Sequence, residues 1–507
     1  MDIATDLLDK QAQLRPNDTA LVDDTAGREL TYAELDQRAS AMARALREEL
    51  GLSAGDRVAM LAQNSAEFFE LLFACAKAEL ILVPLNWRLA VPELTYVLED
   101  CEARAIVFED MFAEQVSALR KTFADLVPVR LGESHDAGEQ SFESLIAGNP
   151  GRYVMPERML GDTWYVLYTS GTTGKPKGVV QTFGMAVFNH LNIGVPQDLT
   201  ARDTMLNVLP FFHTGGINLL AMPTLIVGGT VIIVKTFDPP RVLELLRDRA
   251  SVFFGVPAIY QVLIDHPDFD GEALSGVREW ACGGAPMPYS VLKRYADAGI
   301  HIRQGFGMTE TGPTVFLMGR ERLLEKLGSV GLPQQYALAR VVDEKGNDLP
   351  DDTVGELWVK GPAITPGYWR QPEKTAEAIT PDGWLRTGDL ARCDADGYFY
   401  IVDRSKDMFI SGGENVYPAE VENVLYNHPG VAEAAVIGVP DERWGEVGLA
   451  VIVARPGVDV TAEALREHCQ GQLARYKIPA RFEFTDALPR NAGGKVVKPQ
   501  LREQYIP

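Results

Sequence analysis

The sequence predicts a mixed α/β protein: a large N-terminal domain of βαβ-type sheets with a β-rich subdomain, then a small C-terminal α+β domain. Three observations predict it. The chain has 507 residues, too many for one core. Strand-like apolar runs alternate with helical runs through most of the chain, the rhythm of parallel sheet. After about Gly328 short strands joined by Gly, Asn and Asp turns take over, and beyond Lys406 helix and strand alternate on a smaller scale.

The elements follow in order. "LTYAELDQRASAMARALREELG" opens on a capping box, Thr31 with Glu34. Leu35, Ala39, Met42 and Leu46 then recur at helical spacing, and Gly51 marks the stop. "DRVAML" reads as a strand, "FELLFACAKAELI" as a helix and "RAIVFE" as a strand. "TVIIV", "RVLELLRDR" and "SVFFGV" repeat the strand–helix–strand pattern. Thr204 to Val234 carries no charge, but two prolines, four glycines, two asparagines and a histidine interrupt it. A membrane span needs about 20 mostly apolar residues in one helix, so a buried helix followed by a buried strand is expected. "ARVVDEKGNDLPDDTVGELWVKGPAI" reads as strands and turns, and "GYFYIVDRSKDMFI" as strand broken by the charges at Asp403 to Asp407. The last segment, about 100 residues, has the size of a domain.

Composition excludes some functions. Apolar residues are 46% and charged residues 23%, ordinary for a folded protein. The net charge of −22 leaves no basic surplus for nucleic acid. Cys75, Cys101, Cys282, Cys393 and Cys469 form no CxxC pair, as reduced cytoplasmic thiols would not. Asp2, Asp6 and Asp9 precede any apolar block, so no secretory signal is expected.

"YTSGTTGKPKG", Tyr168 to Gly178, is built like a phosphate loop. It is not the P-loop GxxxxGK[ST]: Thr169 stands where the first Gly belongs, and Pro176 follows Lys175. Backbone N–H groups, hydroxyls and lysines on a Gly-rich turn suit a polyphosphate. An ordinary polar hairpin would use the same residues.

Four further segments follow: "QGFGMTETG" (Gln304 to Gly312), "WLRTGDL" (Trp384 to Leu390), "DRSKD" (Asp403 to Asp407) and "LPRNAGGKVVK" (Leu488 to Lys498). In this order, over nearly the whole chain, they resemble the adenylate-forming superfamily of acyl-CoA synthetases, aryl-CoA ligases, luciferases and amino-acid adenylation domains. "SGGENVYPAEVE" (Ser411 to Glu422) resembles the CoA-ligase branch. The resemblance implies a reaction in two steps. A carboxylate attacks the α-phosphate of MgATP to give an acyl-adenylate and pyrophosphate; the thiol of coenzyme A then displaces AMP. It implies a large domain at 1–403, a hinge at 404–406 with Lys406 as pivot, and a mobile small domain at 407–507. ATP, Mg2+ and coenzyme A are the implied cofactors, and a homodimer is common in such families.

By the same resemblance Thr169, Ser170, Gly171, Thr172, Thr173, Gly174 and Lys175 hold the β- and γ-phosphates. Glu310 is the implied magnesium ligand, with Thr169 near the metal and Thr309 on the α-phosphate. A hard cation prefers such oxygens; a solvated surface acid is the plainer role for Glu310. Gly283, Gly284, Ala285, Gln304, Gly305, Phe306, Gly307 and Met308 form the implied adenine slot, where Phe306 offers a flat face or simply packs in a core. Asp389 would accept from both ribose hydroxyls. Arg404 would touch ribose or phosphate, or form a surface ion pair. Lys495 would reach between carboxylate and α-phosphate. Ser411, Gly412, Gly413 and Trp444 are expected along the CoA channel.

The acid pocket is expected from Phe188, Phe211, Phe212, His213, Gly284, Gly307 and Val315, with His213 beside the acyl carbon. Thr204 to Val234 carries no acid to pair an α-amine and no arginine for a second carboxylate, so a hydrophobic monocarboxylate, fatty or cinnamate-like, is expected. No carrier domain follows Lys495, which favours free CoA as acceptor. A luciferase-like oxygenase, a ligase for a short or branched acid, and a binding protein without catalysis are the alternatives.

Overall fold

The computed structural model describes residues 2–132, 136, 138–169, 175–404, 406–490 and 495–506. Two large sheets organise the first three hundred residues. One has seven strands, built around parallel Arg57–Leu61, Ile81–Pro84 and Ala103–Phe108, and ends in the antiparallel hairpin Thr163–Thr169 with Lys177–Thr182. The other has nine, with a parallel centre of Thr204–Asn207, Thr230–Ile233, Val252–Gly255, Glu279–Cys282 and Ile302–Gly307. Helices Tyr32–Arg44 and Ala66–Lys77 lie in one core with residues from both sheets: Val58 and Leu82 on one side, Leu21, Met205 and Val231 on the other. Strands buried on both faces are apolar throughout, which is why Ile81–Pro84 and Val252–Gly255 carry no alternation.

The capping box forms as read: Thr31 and Glu34 bond each other's backbone, and Gly51 takes φ +67°. Two expectations need correction. The helix within "FELLFACAKAELI" stops at Lys77; the chain turns at Glu79 in the left-handed region, and the last residues enter the strand Ile81–Pro84. The charge-free stretch opens with a strand, Thr204–Asn207, before its helical turns and the second strand. An apolar run of four residues looks alike in a buried strand and a buried helix.

The β-rich part is a four-stranded antiparallel sheet, Leu338–Val342, Gly355–Lys360, Leu385–Cys393 and Phe399–Arg404. The next strand, Phe409–Ser411, belongs to a separate five-stranded sheet whose long hairpin Val431–Asp441 with Gly445–Ala454 has apolar cores on both faces. The chain therefore changes sheets between Arg404 and Phe409. Among the described residues no helix is long and apolar enough to cross a membrane.

Candidate active site

The site grows from the C-terminal ends of parallel strands, where open α/β sheets bind ligands. Phe211, Phe212 and His213 follow the strand Thr204–Asn207, Gly283 follows Glu279–Cys282, and Gln304 to Gly307 end Ile302–Gly307. From the other sheet, Trp87 and Arg88 follow Ile81–Pro84.

Beyond Gly307 the chain makes a tight hairpin back into Thr314–Leu317, with a 3₁₀ turn Thr309–Thr311 at its tip. A Cβ on Gly307 would stand 1.9 Å from the Pro313 carbonyl oxygen, so only glycine closes this turn. The turn buries Glu310, which is 9% exposed. It is not a solvated surface acid: loss of water pushes its carboxyl above the usual range, while Tyr368, Lys177 and Arg404 favour the ionised form. The Tyr368 hydroxyl donates to Glu310 Oε1 at 3.0 Å. Thr309, whose carbonyl accepts from the Gln181 amide at 3.0 Å, is half-buried beside it.

Asp389 is 5% exposed on the strand Leu385–Cys393. Burial pushes its carboxyl up; Arg404, Lys495 and Lys406 pull it down. Arg404 Nε lies 3.4 Å from Asp389 Oδ1, so Arg404 is exposed, ion-paired and at the site together. Lys495, from the far end of the chain, lies near enough for its charge to act on Asp389, Glu310 and His213. Desolvation and Arg404 push its ammonium down to about 8, against the pull of both carboxylates. His213 is pushed down to about 4 by burial, Lys495 and Arg88, and its Nε2 is buried without a hydrogen-bond partner among the described residues.

The phosphate-loop residues Ser170, Gly171, Thr172, Thr173 and Gly174 lie outside the described residues. Thr169 ends the incoming strand opposite Lys177. Lys175 is exposed, its ammonium 5.3 Å from the Tyr96 ring. Lys177 instead lies 4.7 Å over the Tyr368 ring, beside Glu310. The expectation named Lys175 alone; the structure brings the second lysine to the carboxylate. Phe306 is half-buried with its ring 6.0 Å from Phe316, at the edge of the β-subdomain core. Gly283 is buried, Gly284 and Ala285 are exposed, Gln304, Gly305 and Met308 half-buried.

Of the expected acid wall, Phe212 faces Trp87 at 6.4 Å and His213 at 4.9 Å. Phe188 faces Tyr336 at 5.4 Å. Phe211 does not join them: it stacks on Phe68 at 4.7 Å and meets Phe69 at 5.0 Å inside the shared core. The two rings leave a tight turn, closed by the His213 N–H on the Pro210 carbonyl at 3.1 Å, toward different neighbours: Phe211 toward Phe68 and Phe212 toward Trp87. Val315 is 1% exposed and packs in the β-subdomain core. The wall is not free of arginine either. Arg88 stands 4.6 Å over Trp87 and 5.9 Å from the Phe212 ring, delivered from a segment more than a hundred residues away.

On the small sheet Ser411 is buried and pairs with Gly445. Gly412, at φ +60°, donates its N–H to the Trp444 carbonyl at 2.8 Å. Trp444 is 48% exposed; Gly413 and Lys406 are exposed too.

The residues fit a magnesium ion. Among the described residues no cluster of three His, Cys, Asp or Glu could cage a metal. One buried carboxylate, Glu310, suits a cation that keeps its waters and takes phosphate oxygens.

A family model described as AMP-binding enzyme matches residues 8–369, and its C-terminal domain matches residues 420–495. The chain is 42% identical over 497 residues to a feruloyl-CoA synthase from Amycolatopsis, covering 98% of both chains. It is 36% identical over 500 residues to a long-chain-fatty-acid–CoA ligase from Mycobacterium tuberculosis, again covering 98% of both. The structure of ATP-bound MatB from Rhodopseudomonas palustris is similar with a TM-score of 0.91 and 33% identity, covering 99% of each chain.

Proposed function

Since this chain belongs to the AMP-binding enzyme family and is an ATP-dependent acid–CoA ligase working through an acyl-adenylate, we propose that its acid is an aryl monocarboxylate of the hydroxycinnamate kind. The observation that carries the adenylating role of the site is its pair of buried carboxylates, Glu310 held by Tyr368 at 3.0 Å and Asp389 by Arg404 at 3.4 Å, both within electrostatic range of Lys495. The substrate reading is supported by the aromatic pair of Trp87 and Phe212 beside His213, and by the higher identity to the feruloyl-CoA synthase than to the fatty-acid ligase.

In the first step one carboxylate oxygen bonds to the α-phosphorus and the bond to the bridging oxygen of pyrophosphate breaks. Two anions must meet, so positive charge and positioning carry the step. Lys495 contacts both reactants, and Asp389 holds the ribose through its hydroxyls. Thr309 contacts the α-phosphate, and Phe306 lies along the adenine. Magnesium neutralises phosphate charge when bound, and Glu310 with Thr169 would hold it. In the second step the thiolate bonds to the acyl carbon and AMP departs. His213 is neutral at physiological pH and adds no charge beside that carbon. Ser411, Gly412, Gly413 and Trp444 line the thiol's route once the small domain has turned about Lys406. The five cysteines are free thiols, as in a reducing compartment, and we place the reaction in the cytoplasm.

The test measures pyrophosphate release and thioester formation, with and without CoA, over ferulate, coumarate, phenylacetate and C8 to C16 fatty acids. The expected result is kcat/KM highest for a hydroxycinnamate by about tenfold or more, the worth of one well-placed polar or ring contact. A fatty acid at the top of the series would sink the substrate reading.

A further inference from the structure

The loop around Tyr368 has no part in the expected site, yet it touches both Glu310 and Lys177. Its backbone is clamped to the strand leaving the phosphate loop. Val180 N–H donates to the Gly367 carbonyl at 3.1 Å and Trp369 N–H to the Gly178 carbonyl at 2.7 Å. The Thr365 hydroxyl donates to the Val180 carbonyl at 2.7 Å, and Thr365 N–H to the Glu310 carbonyl at 2.8 Å. Tyr368 N–H is taken by Thr375 Oγ1 at 3.0 Å. The side chain then has two uses. Its ring carries the Lys177 ammonium at 4.7 Å, and its hydroxyl donates to Glu310 Oε1 at 3.0 Å.

Packing and the cation–ring contact need only the ring. The hydroxyl is the extra part, and its acceptor is the buried carboxylate at the tip of the hairpin. A carboxylate on a glutamate side chain has free torsions. A hydrogen bond to one oxygen from a backbone-clamped donor fixes which oxygen and which edge face outward.

We propose that Tyr368 is a positioning residue: its hydroxyl holds Glu310 Oε1 so that the rest of the carboxylate is presented, in one fixed orientation, to the divalent cation on the ATP phosphates. Lys177, stacked on the same ring, is placed by the same residue at the phosphate side of Glu310. This deepens the reading of Glu310 as the magnesium carboxylate and rests on it.

The experiment uses the full chain with Mn2+ and an α,β-methylene ATP analogue, and reads Mn2+ binding by electron paramagnetic resonance. Tyr368→Phe keeps the ring and removes the hydroxyl. Its Mn2+ dissociation constant is expected to rise about tenfold, the worth of one hydrogen bond to a charged group. Its melting temperature is expected to stay within about 2 °C of the parent, and the KM of the acid to stay unchanged. Glu310→Gln is run beside it and should weaken Mn2+ at least as much. If Glu310→Gln weakens Mn2+ and Tyr368→Phe does not, the positioning role is wrong while the reading of Glu310 stands. If Glu310→Gln itself leaves Mn2+ binding unchanged, both are wrong. A fall in melting temperature with Mn2+ affinity intact would make Tyr368 a packing residue only and overturn the proposal.

Discussion

Lys495 shows what a single residue draws from its surroundings. Taken out of water and faced by Arg404, its ammonium titrates near 8 although Asp389 and Glu310 pull it upward. A depressed lysine is a cation below that value and loses its charge above it. The kcat/KM of adenylation should therefore fall as pH rises through about 8, and Lys495→Arg, whose guanidinium keeps its proton, should not show that fall. Lys495→Ala should lower pyrophosphate release by about 10²- to 10³-fold, the usual cost of losing one charge-stabilising donor. It should largely spare thioester formation from supplied acyl-adenylate; equal loss in both half-reactions would contradict a role confined to the first. Glu310, Asp389 and Lys495 were named from the sequence because the motifs around them, "MTE", "TGD" and "GGKVV", resemble those of a known family. Lys177, Tyr368 and Arg88 were not. "KPKG", "GYW" and "NWR" carry no chemical signature until folding sets Lys177 over Tyr368 and Arg88 over Phe212.

Among elements, the strand Lys177–Thr182 does the joining. It pairs with the incoming strand of the phosphate loop on one side and meets the Tyr368 loop on the other. Gly178 makes this seam close. An added Cβ would lie 2.7 Å from Val166 Cγ1 and 3.1 Å from both Trp369 Cβ and the Tyr168 ring. Gly178→Ala should destabilise the protein by about 1–3 kcal/mol through overpacking, measured by urea denaturation; a change under about 0.5 kcal/mol would show that the seam has slack. Helix and strand types were readable from periodicity and caps, as at Thr31 with Glu34. Facing was less so. Phe211 and Phe212 are identical neighbours, and only packing against Phe68 and Phe69 decides that Phe211 turns inward.

At the scale of the molecule, the C-terminal segment brings Lys495 within electrostatic range of Asp389 and Glu310. One ion pair across the two parts is Arg455 with Asp265, at 3.8 Å; Asp265 also holds Arg294 at 2.7 Å. Both partners of the cross-domain pair are about a third exposed or more, so water screens it to about 1 kcal/mol at most. Arg455→Ala should slow adenylation by no more than about fivefold and leave the thioester half-reaction at its parent rate, checked by single-turnover kinetics of each step. A larger loss, or equal slowing of both, would show that the pair does more than favour this arrangement.

The amino-acid sequence by itself determined the family, because the motifs that carry the resemblance are local and survive without coordinates; the two-step chemistry and the residue types expected of the site followed from that resemblance. Tertiary structure alone decided which of two adjacent phenylalanines faces the pocket and that an arginine from residue 88 meets a wall read as uncharged. It also decided that a tyrosine 58 residues beyond Glu310 holds its carboxylate. Those contacts join segments remote in sequence, and only the packing of two sheets and a hairpin brings them within hydrogen-bond and ring-contact distance.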